Sequence, residues 1–501
     1  MNTRRQIGLL ALAQPVTQAI GVVVSFVLAR QLFPRDYGMV AMATGFTGVL
    51  AMVSGLGLSD AALQRKELSD AEASALFWLN VAAGLVFGLA AVSLGPVLGW
   101  YFQESSVPYV SAWAGLAALV SSLGGQHRIA LMRRGAYGSA AVVDLVAQAG
   151  AGIGAIGAAV AGLGWKSLVV LFVGQAVLRS VGMWVVARWV PGRFRWDSLP
   201  GDTVRLGLVV CLGWVLYSLS ATAESAVLGR VGGAEGLGLY TKAMQIARYP
   251  VMIFFVPAFL PAVHRLGQWQ DNCVALGREY ARMQGWVMLL ISLPAGALAG
   301  CAADLVPSVM GRQWEPSVPL LLVILAGVVG LPVAQGAMWV LTALARKREM
   351  ALFQTWMAMI PVAAITVGAL LGGAMGACVA FTASMWAALV PVGLWLAARA
   401  AKMQVGRVLS GVWRALLTAG ACALATWGVR AVLAALAFES PLIRATVGVL
   451  VGATVWMAVA RVAARHYLRE ILDTVLATTR FEGVAWARRL ADWYAPTSVP
   501  S

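Results

Sequence analysis

Two apolar segments of this chain carry polar and ionisable residues at the spacing of one helix face. The stripes follow i, i+3 and i+7 and consist of Tyr217, Ser220 and Glu224 in the first segment, and of Lys242, Gln245 and Tyr249, with Arg248 beside them, in the second. Residues at this spacing share one side of an α-helix. A charge among apolar side chains is costly unless it meets a partner or water, so both stripes are candidate functional surfaces.

Glu224 and Lys242 are the two opposite charges of these stripes. Successive apolar segments run in opposite directions, so the two residues are predicted to lie at similar depth. Two interpretations stay open at this point. The residues form a structural ion pair that orients the two helices, or they line a cavity and bind a ligand.

Arg179 is the most isolated charge in the first half of the chain. Its long side chain can extend to the nearer end of its segment, or its planar guanidinium can bind an anionic oxygen group with paired hydrogen bonds. Asp144 lies near the end of its own segment and is predicted to be interfacial. Arg179, Lys242 and Arg248 outnumber the acids Asp144 and Glu224, which predicts a cationic interior suited to an anionic ligand.

Metal and nucleophilic chemistry find no support in the sequence. The five cysteines are scattered without a C-x-x-C pair, and the three histidines lie far apart. They are Cys211, Cys273, Cys301, Cys378 and Cys422, and His127, His264 and His466. These spacings predict small core cysteines rather than a metal site or a nucleophile and base pair.

Long apolar segments position all of these residues. Hydrophobic residues make up 60% of the chain and charged residues only 12%, a composition that predicts an integral membrane protein. Fourteen segments are long enough to cross a bilayer as helices. They are residues 7–29, 38–58, 75–99, 109–131, 141–163, 165–189, 207–231, 238–263, 286–307, 317–342, 350–371, 374–397, 414–437 and 442–464.

A short repeat relates the two halves of the chain. Leu28-Ala29-Arg30, followed by residues 36–43 (DYGMVAMA), returns as Leu228-Gly229-Arg230, followed by residues 236–243 (GLGLYTKA). Both copies join one apolar segment to the next, and six segments separate them. Related halves of this kind are typical of transporters.

The chain has a net charge of +16, and its basic residues are predicted to concentrate on one side of the membrane. Most lysines and arginines fall in alternate connections, among them Arg133-Arg134 and Arg346-Lys347-Arg348. The positive-inside rule then predicts that both termini are in the cytoplasm. Because the placement of the basic residues is explained by the membrane, no nucleic-acid partner is expected. Residues 465–501 keep helical spacing of apolar residues among charges, which predicts an amphipathic helix on the inner membrane surface, with a partner-binding helix as the alternative.

Enzymatic activity is not expected. The connections on the outer side are too short to house a catalytic site in water. The glycine-rich pieces 150–164 and 368–376 lack a phosphate-loop lysine and lie within or beside spans. They therefore predict close helix packing rather than nucleotide binding.

Four segments together resemble the polysaccharide exporters of the MOP superfamily, the Wzx-type flippases, which are related to lipid II flippases and MATE drug exporters. The segments are residues 30–44 (RQLFPRDYGMVAMAT), 55–67 (GLGLSDAALQRKE), 77–80 (FWLN) and 228–243 (LGRVGGAEGLGLYTKA). The resemblance implies an all-α membrane fold with two six-helix bundles around a central cavity and two extra C-terminal helices. The corresponding domains are residues 1–200, 201–398 and 399–464, followed by the cytoplasmic tail 465–501.

The same resemblance implies the activity and its setting. The expected activity is moving an undecaprenyl-diphosphate-linked oligosaccharide across the bacterial inner membrane for O-antigen, capsule or exopolysaccharide synthesis. The implied partners are this lipid-linked oligosaccharide, membrane lipid, the polysaccharide polymerase and glycosyltransferases. No cofactor is expected, although a coupling cation, proton or sodium, is compatible with the fold. The cavity candidates Arg179, Tyr217, Glu224, Lys242, Gln245 and Arg248 would then contact the sugar, the diphosphate or that cation.

One departure from the family pattern bears on the site. Many relatives carry Arg-Asn-x-Asp on the seventh span, and this chain has Ala221-Thr222-Ala223-Glu224 there. The acid is kept as Glu224, while the arginine and asparagine are not. A cation-coupled antiporter of small molecules, similar to the MATE proteins, is the first alternative function, and an enzyme of polysaccharide assembly is the second.

Overall fold

The computed structural model describes residues 3–48, 68–195, 197, 201–401 and 403–478, with the side chains of all but 3–12, 14, 201–221 and 472–478. Every regular element in these ranges is helical. A helix satisfies its own backbone hydrogen bonds, which is what an apolar segment in a bilayer requires. The predicted all-α class is confirmed.

The helices of the first half follow the apolar segments in order. They are α1 (Thr3–Gln31), α2 (residue 34 through residue 48), α3 (Asp70–Phe102), α4 (Val107–Arg133), α5 (Tyr137–Val160), α6 (Lys166–Ala187) and α7 (Gly201–Gly267). Ser69 begins α3 with a capping box, in which its side chain accepts from the Glu72 backbone and the Glu72 side chain accepts from the Ser69 backbone. This arrangement satisfies two backbone donors at the helix start.

The second half continues with shorter and longer helices. They are α8 (Cys273–Met310), α9 (Ser317–Val328), α10 (Leu331–Gln335), α11 (Ala337–Ala343), α12 (Lys347–Ser384), α13 (Val390–Ala401), α14 (Val405–Ala435), α15 (Pro441–Ala463) and α16 (Arg465–Thr478). A 3₁₀ turn at Arg312–Trp314 follows α8, and a π-helical turn at Met385–Leu389 joins α12 to α13.

Within the described residues, 10 helices are long and apolar enough to cross a membrane. Two of the long helices are interrupted by glycines. Gly233 has φ 65° and ψ −172° inside α7, and Gly373 has φ 58° inside α12. A positive φ is accessible to glycine without steric penalty, so these positions let the chain turn between apolar segments. The count of fourteen spans remains a prediction.

The chain forms two compact units. Met1–Thr241 with Val309–Gln313 make the first, and Lys242–Ser308 with Trp314–Ser501 make the second. The bundle boundaries given by the sequence remain predictions.

In the first unit, the repeated glycines bring two backbones together. A Cβ atom on Gly38 of α2 would collide with the carbonyl of Ala234, and one on Gly238 of α7 would collide with the carbonyl of Pro34. The glycine of each repeat copy therefore packs against the chain just before the other. Gly88 and Gly115 make a similar close approach between α3 and α4, because small residues let membrane helices approach closely.

In the second unit, the C-terminal helices are held against α8 at mid-helix by a buried hydrogen-bond chain. Trp456 Nε1 of α15 donates to Ser292 Oγ at 2.7 Å, and Ser292 Oγ lies 3.0 Å from Thr418 Oγ1 of α14. Buried polar groups paired in this way avoid the cost of unsatisfied donors. They fix the two extra helices to α8.

The first part of the tail also docks on this unit. Tyr467 and Leu468 of α16 are buried in the cluster formed with α8, α14 and α15. Glu470 accepts from Trp286 Nε1 at 2.5 Å and pairs with Arg282 at 2.9 Å. Residues 465–471 are therefore attached to the protein, while the side chains of the rest of the predicted tail lie outside the described residues.

Candidate functional site

Asp144 of α5 holds two arginines in the first unit. Arg128 Nη1 of α4 lies 2.7 Å from Asp144 Oδ2, and Arg179 Nε of α6 lies 3.0 Å from Asp144 Oδ1. The Asp144 side chain is 19% exposed, whereas Arg179 is 48% exposed. The arginine cluster, defined as Arg128, Asp144 and Arg179, thus carries one positive charge in excess and leaves part of one guanidinium accessible.

This geometry corrects the interpretation of Arg179 as an isolated charge. Arg179 is paired, because α5 and α6 pack as antiparallel neighbours and place Asp144 opposite it. Asp144 is accordingly part of an ion-pair cluster, and its interfacial position stays a prediction. The available sequence signal was the similar distance of the two residues from the turn between α5 and α6.

A glutamine pair extends the cluster by one turn. Gln175 Nε2 of α6 donates to Gln148 Oε1 of α5 at 2.8 Å. Gln148 is four residues after Asp144 and Gln175 is four before Arg179, so each glutamine shares a helix face with its charged neighbour. Gly21 of α1 lies against this pair, since a Cβ there would be 3.3 Å from Gln148 Nε2. The sequence reasoning missed these glutamines, although their i, i+4 spacing was visible.

The arrangement is suited to an anionic ligand. Removing charges from water is costly, and a membrane helix tolerates them where they are paired or meet water. Asp144 compensates one guanidinium charge and fixes both arginines in place. The second positive charge remains, and charge-assisted hydrogen bonds to phosphate oxygens are among the strongest that a side chain makes.

The stripe that begins at Lys242 lies on the part of α7 after Gly233 and belongs to the second unit. Two of its residues are in contact. Lys242 is buried, its Nζ lies 3.2 Å from Gln245 Oε1, and it sits 5.9 Å from the ring centroid of Trp314. The Arg248 Nε atom is buried and has no hydrogen-bond partner among the described residues. The structure thus brings Lys242 and Gln245 together as the spacing predicts, with Arg248 one turn further on.

The other stripe is only partly visible. The side chains of Tyr217 and Ser220 lie outside the described residues, and Glu224 is half-buried. Glu224 belongs to the first compact unit and Lys242 to the second. Their pairing therefore remains a prediction.

A second cluster with one acid and two arginines lies in the second unit. Arg444 Nη2 of α15 is 3.1 Å from Asp304 Oδ1 of α8, and Arg430 Nη1 of α14 is 3.8 Å from the same atom. All three side chains are mostly buried. The sequence reasoning missed this cluster, although each of the three charges falls inside a predicted span. It ties α14 and α15 to α8.

No group of three or more His, Cys, Asp or Glu residues that could hold a metal ion occurs in the part of the chain that the structure describes. Cys273, Cys301, Cys378 and Cys422 are free thiols, and three of them are buried.

Comparison with known proteins identifies the family. Residues 27–319 match the family described as "Polysaccharide biosynthesis protein". The lipopolysaccharide biosynthesis protein WzxC of Escherichia coli (strain K12) is 24% identical over 382 residues, which cover 74% of this chain and 76% of WzxC.

The fold has counterparts among solved structures. The lipid II flippase MurJ in its inward closed conformation superposes with a TM-score of 0.72 at 10% identity, over 91% of this chain and 98% of MurJ. An inward-facing multidrug resistance MATE transporter of the MOP superfamily gives a TM-score of 0.63 at 15% identity, over 78% of this chain and 98% of that one. The helices of this chain therefore form the fold of these transporters.

The 10 apolar helices of the described residues are those of a multi-pass membrane protein. The family match covers more than half of the chain. The chain therefore belongs to the family described as "Polysaccharide biosynthesis protein".

Proposed function

We propose that this protein is a flippase that moves undecaprenyl-diphosphate-linked oligosaccharide repeat units across the bacterial inner membrane. The products would supply surface polysaccharide such as O-antigen, capsule or exopolysaccharide. The observation that carries the proposal is the arginine cluster, a net positive group held inside apolar helices. The family, the lipopolysaccharide role named for WzxC and the fold shared with a lipid II flippase support it.

The arginine cluster would bind the diphosphate. Arg179 is the more exposed of the two arginines and would donate to phosphate oxygens, while Asp144 keeps its guanidinium oriented. Arg248, whose Nε is buried without a partner among the described residues, is a separate cationic candidate within the second compact unit. Gln148, Gln175 and Gln245 would hydrogen-bond the sugar hydroxyls.

The proposed mechanism is alternating access between two six-helix bundles. A charged headgroup cannot cross hydrocarbon unaided, so the bundles would enclose it and open to one side at a time. The turns at Gly233 and Gly373 provide backbone freedom within the two long helices. Both termini would be cytoplasmic, as the charge distribution predicts, and the polymerase and glycosyltransferases would act on either side of the transport step.

A cation-coupled drug antiporter is the competing function. Such a pocket needs an acid available to a cation, and Asp144 and Asp304 are each engaged with two arginines. This favours an anionic substrate. If a proton or sodium ion drives transport, Glu224 is the candidate acid for its binding.

Reconstitution tests the proposal. Purified protein in liposomes should move a fluorescent polyprenyl-diphosphate oligosaccharide between leaflets in a saturable manner, and Arg179→Ala should reduce binding about tenfold, as expected for one lost charge-assisted contact. Arg312→Ala, at an exposed position of the turn after α8, is the matched control. Equal affinity for a neutral polyprenol carrying the same glycan would contradict the diphosphate role.

A further inference from the structure

The segment after α6 forms a fixed strap, defined as residues 188–195. Gly192 N donates to Ser74 Oγ at 2.9 Å, and Trp78 Nε1 donates to the Gly192 carbonyl at 2.9 Å. Both partners belong to the first part of α3. The backbone of Gly192 therefore attaches the strap to the beginning of α3.

An aromatic contact anchors the strap a second time. Trp189 is buried, and its carbonyl lies 3.1 Å from Nε2 of the fully buried His127 on α4. The Trp189 ring packs edge-on against Phe77, with ring centroids 6.1 Å apart. The strap is therefore anchored on α3 at Gly192 and on α4 at Trp189.

The anchored strap presents basic and apolar side chains together. Arg193 and Arg195 are exposed. They line an open cavity of about 670 Å³ together with Asp70, Ser74 and Trp189. Val190 and Phe194 also line it, and they are 79% and 37% exposed.

A smaller cavity of about 190 Å³ adjoins the first, since both are lined by Asp70 and Trp189. Arg133 and Arg134 at the end of α4 line the smaller one. Among the described residues, four arginines and one acid thus line the paired cavities. The excess of positive charge favours a ligand with phosphate oxygens, and arginine binds these with paired hydrogen bonds.

We infer that the strap cavity binds the phosphate headgroup of an anionic membrane phospholipid. It lies at the ends of α3, α4 and α6, which are long and apolar enough to cross a membrane, so a headgroup would reside there when they span a bilayer. Basic pockets between membrane helices bind anionic lipids on the cytoplasmic side. The exposed Val190 and Phe194 would contact the start of the acyl chains. This lipid would stay in place, so the inference goes beyond the proposed transport and does not depend on it.

Lipid occupancy measured by native mass spectrometry tests the inference. The full-length protein in detergent is titrated with phosphatidylglycerol or with phosphatidylcholine. We expect phosphatidylglycerol to bind preferentially and the double variant Arg193→Ala/Arg195→Ala to bind it about thirtyfold more weakly, given roughly 1 kcal/mol for each arginine. The control Arg348→Ala/Arg407→Ala removes two exposed charges from the second unit and should leave occupancy nearly unchanged.

A third variant separates the effect of the strap's position from that of its arginine charges. Ser74→Ala keeps every arginine but removes the acceptor for Gly192 N, so it should weaken lipid binding by a smaller factor. Equal loss in the strap variant and in the control would overturn the inference, because binding would then reflect total charge. Unchanged binding in the strap variant would overturn it as well.

Inorganic phosphate distinguishes the source of the ligand. Failure of millimolar phosphate to displace phosphatidylglycerol supports a lipid site, whereas displacement would assign the cavity to a free anion and overturn the lipid assignment. The readout is occupancy rather than transport. A negative result here therefore leaves the proposed function untouched, and a transport failure leaves the lipid site untouched.

Discussion

At the scale of single residues, Asp144 sets the net charge of the arginine cluster. It contacts both Arg128 and Arg179, so it compensates one charge and orients two side chains. Arg179 is the more exposed of the two arginines in this cluster. The two residues should therefore respond differently to substitution, and the difference separates a structural role from a binding role.

We expect Asp144→Asn to lower the free energy of unfolding by about 1–3 kcal/mol, since it leaves two arginines without their acid. Arg179→Ala should change stability little, because Arg128 still pairs with Asp144, yet it should weaken binding of the diphosphate lipid. Thermal unfolding in detergent, monitored by size-exclusion chromatography, measures the stability change of each variant. A loss of stability in Arg179→Ala as large as that in Asp144→Asn would assign Arg179 a structural role.

The predicted pair of Glu224 and Lys242 has its own test. Glu224→Gln and Lys242→Ala should each impair transport while the protein still inserts and accumulates. A desolvated pair that loses one partner leaves an uncompensated charge, so lower abundance is the competing outcome. The double variant decides, because restored abundance and restored transport would show a purely structural pair.

At the scale of helices, the glycines of the repeat determine how closely α2 and α7 approach. Gly38 and Gly238 each face the backbone preceding the other. Neither contact leaves room for a Cβ atom. The repeat thus has a packing function in addition to marking the two halves of the chain.

We predict that Gly238→Ala destabilises the protein by about 1–3 kcal/mol or more, because the new methyl group collides with the Pro34 carbonyl. Gly236→Ala in the same helix is the matched control, since nothing lies within 4 Å of its Cβ position. The control should be neutral or stabilising by up to about 1 kcal/mol. Melting temperatures of the two variants in detergent compare them directly, and equal values would contradict the close packing.

The C-terminal helices offer a second element-scale prediction. Asp304→Asn should loosen α14 and α15 from α8, because Arg430 and Arg444 lose their shared acid. Faster hydrogen–deuterium exchange in residues 405–463 would report the release. Glu439→Gln, an exposed acid in the turn between α14 and α15, should leave exchange unchanged, and the prediction fails if both variants behave alike.

At the scale of the whole molecule, the distribution of basic residues predicts the orientation in the membrane. Both termini and the connections with Arg133-Arg134 and Arg346-Lys347-Arg348 should be cytoplasmic. Single-cysteine labelling with an impermeant reagent in intact cells measures this. Labelling of either connection from the periplasmic side would be incompatible with the two-bundle topology.

The sequence by itself determined the class of the protein. Long apolar segments can satisfy their backbone groups in a bilayer only as helices or closed barrels, and the lengths of these segments favour helices. The surplus of cations over acids inside the spans and the repeat at Gly38 and Gly238 were also readable, because both depend on composition and order alone.

Only the tertiary structure decided which charges meet. Asp144 contacts Arg128 and Arg179, and Asp304 contacts Arg430 and Arg444, but sequence spacing does not specify which helices are neighbours. The strap is a second example, because its hydrogen bonds to Ser74 and His127 join residues far apart in the chain. Periodicity fixes the face of each helix, whereas the partner of that face depends on how all the helices pack together.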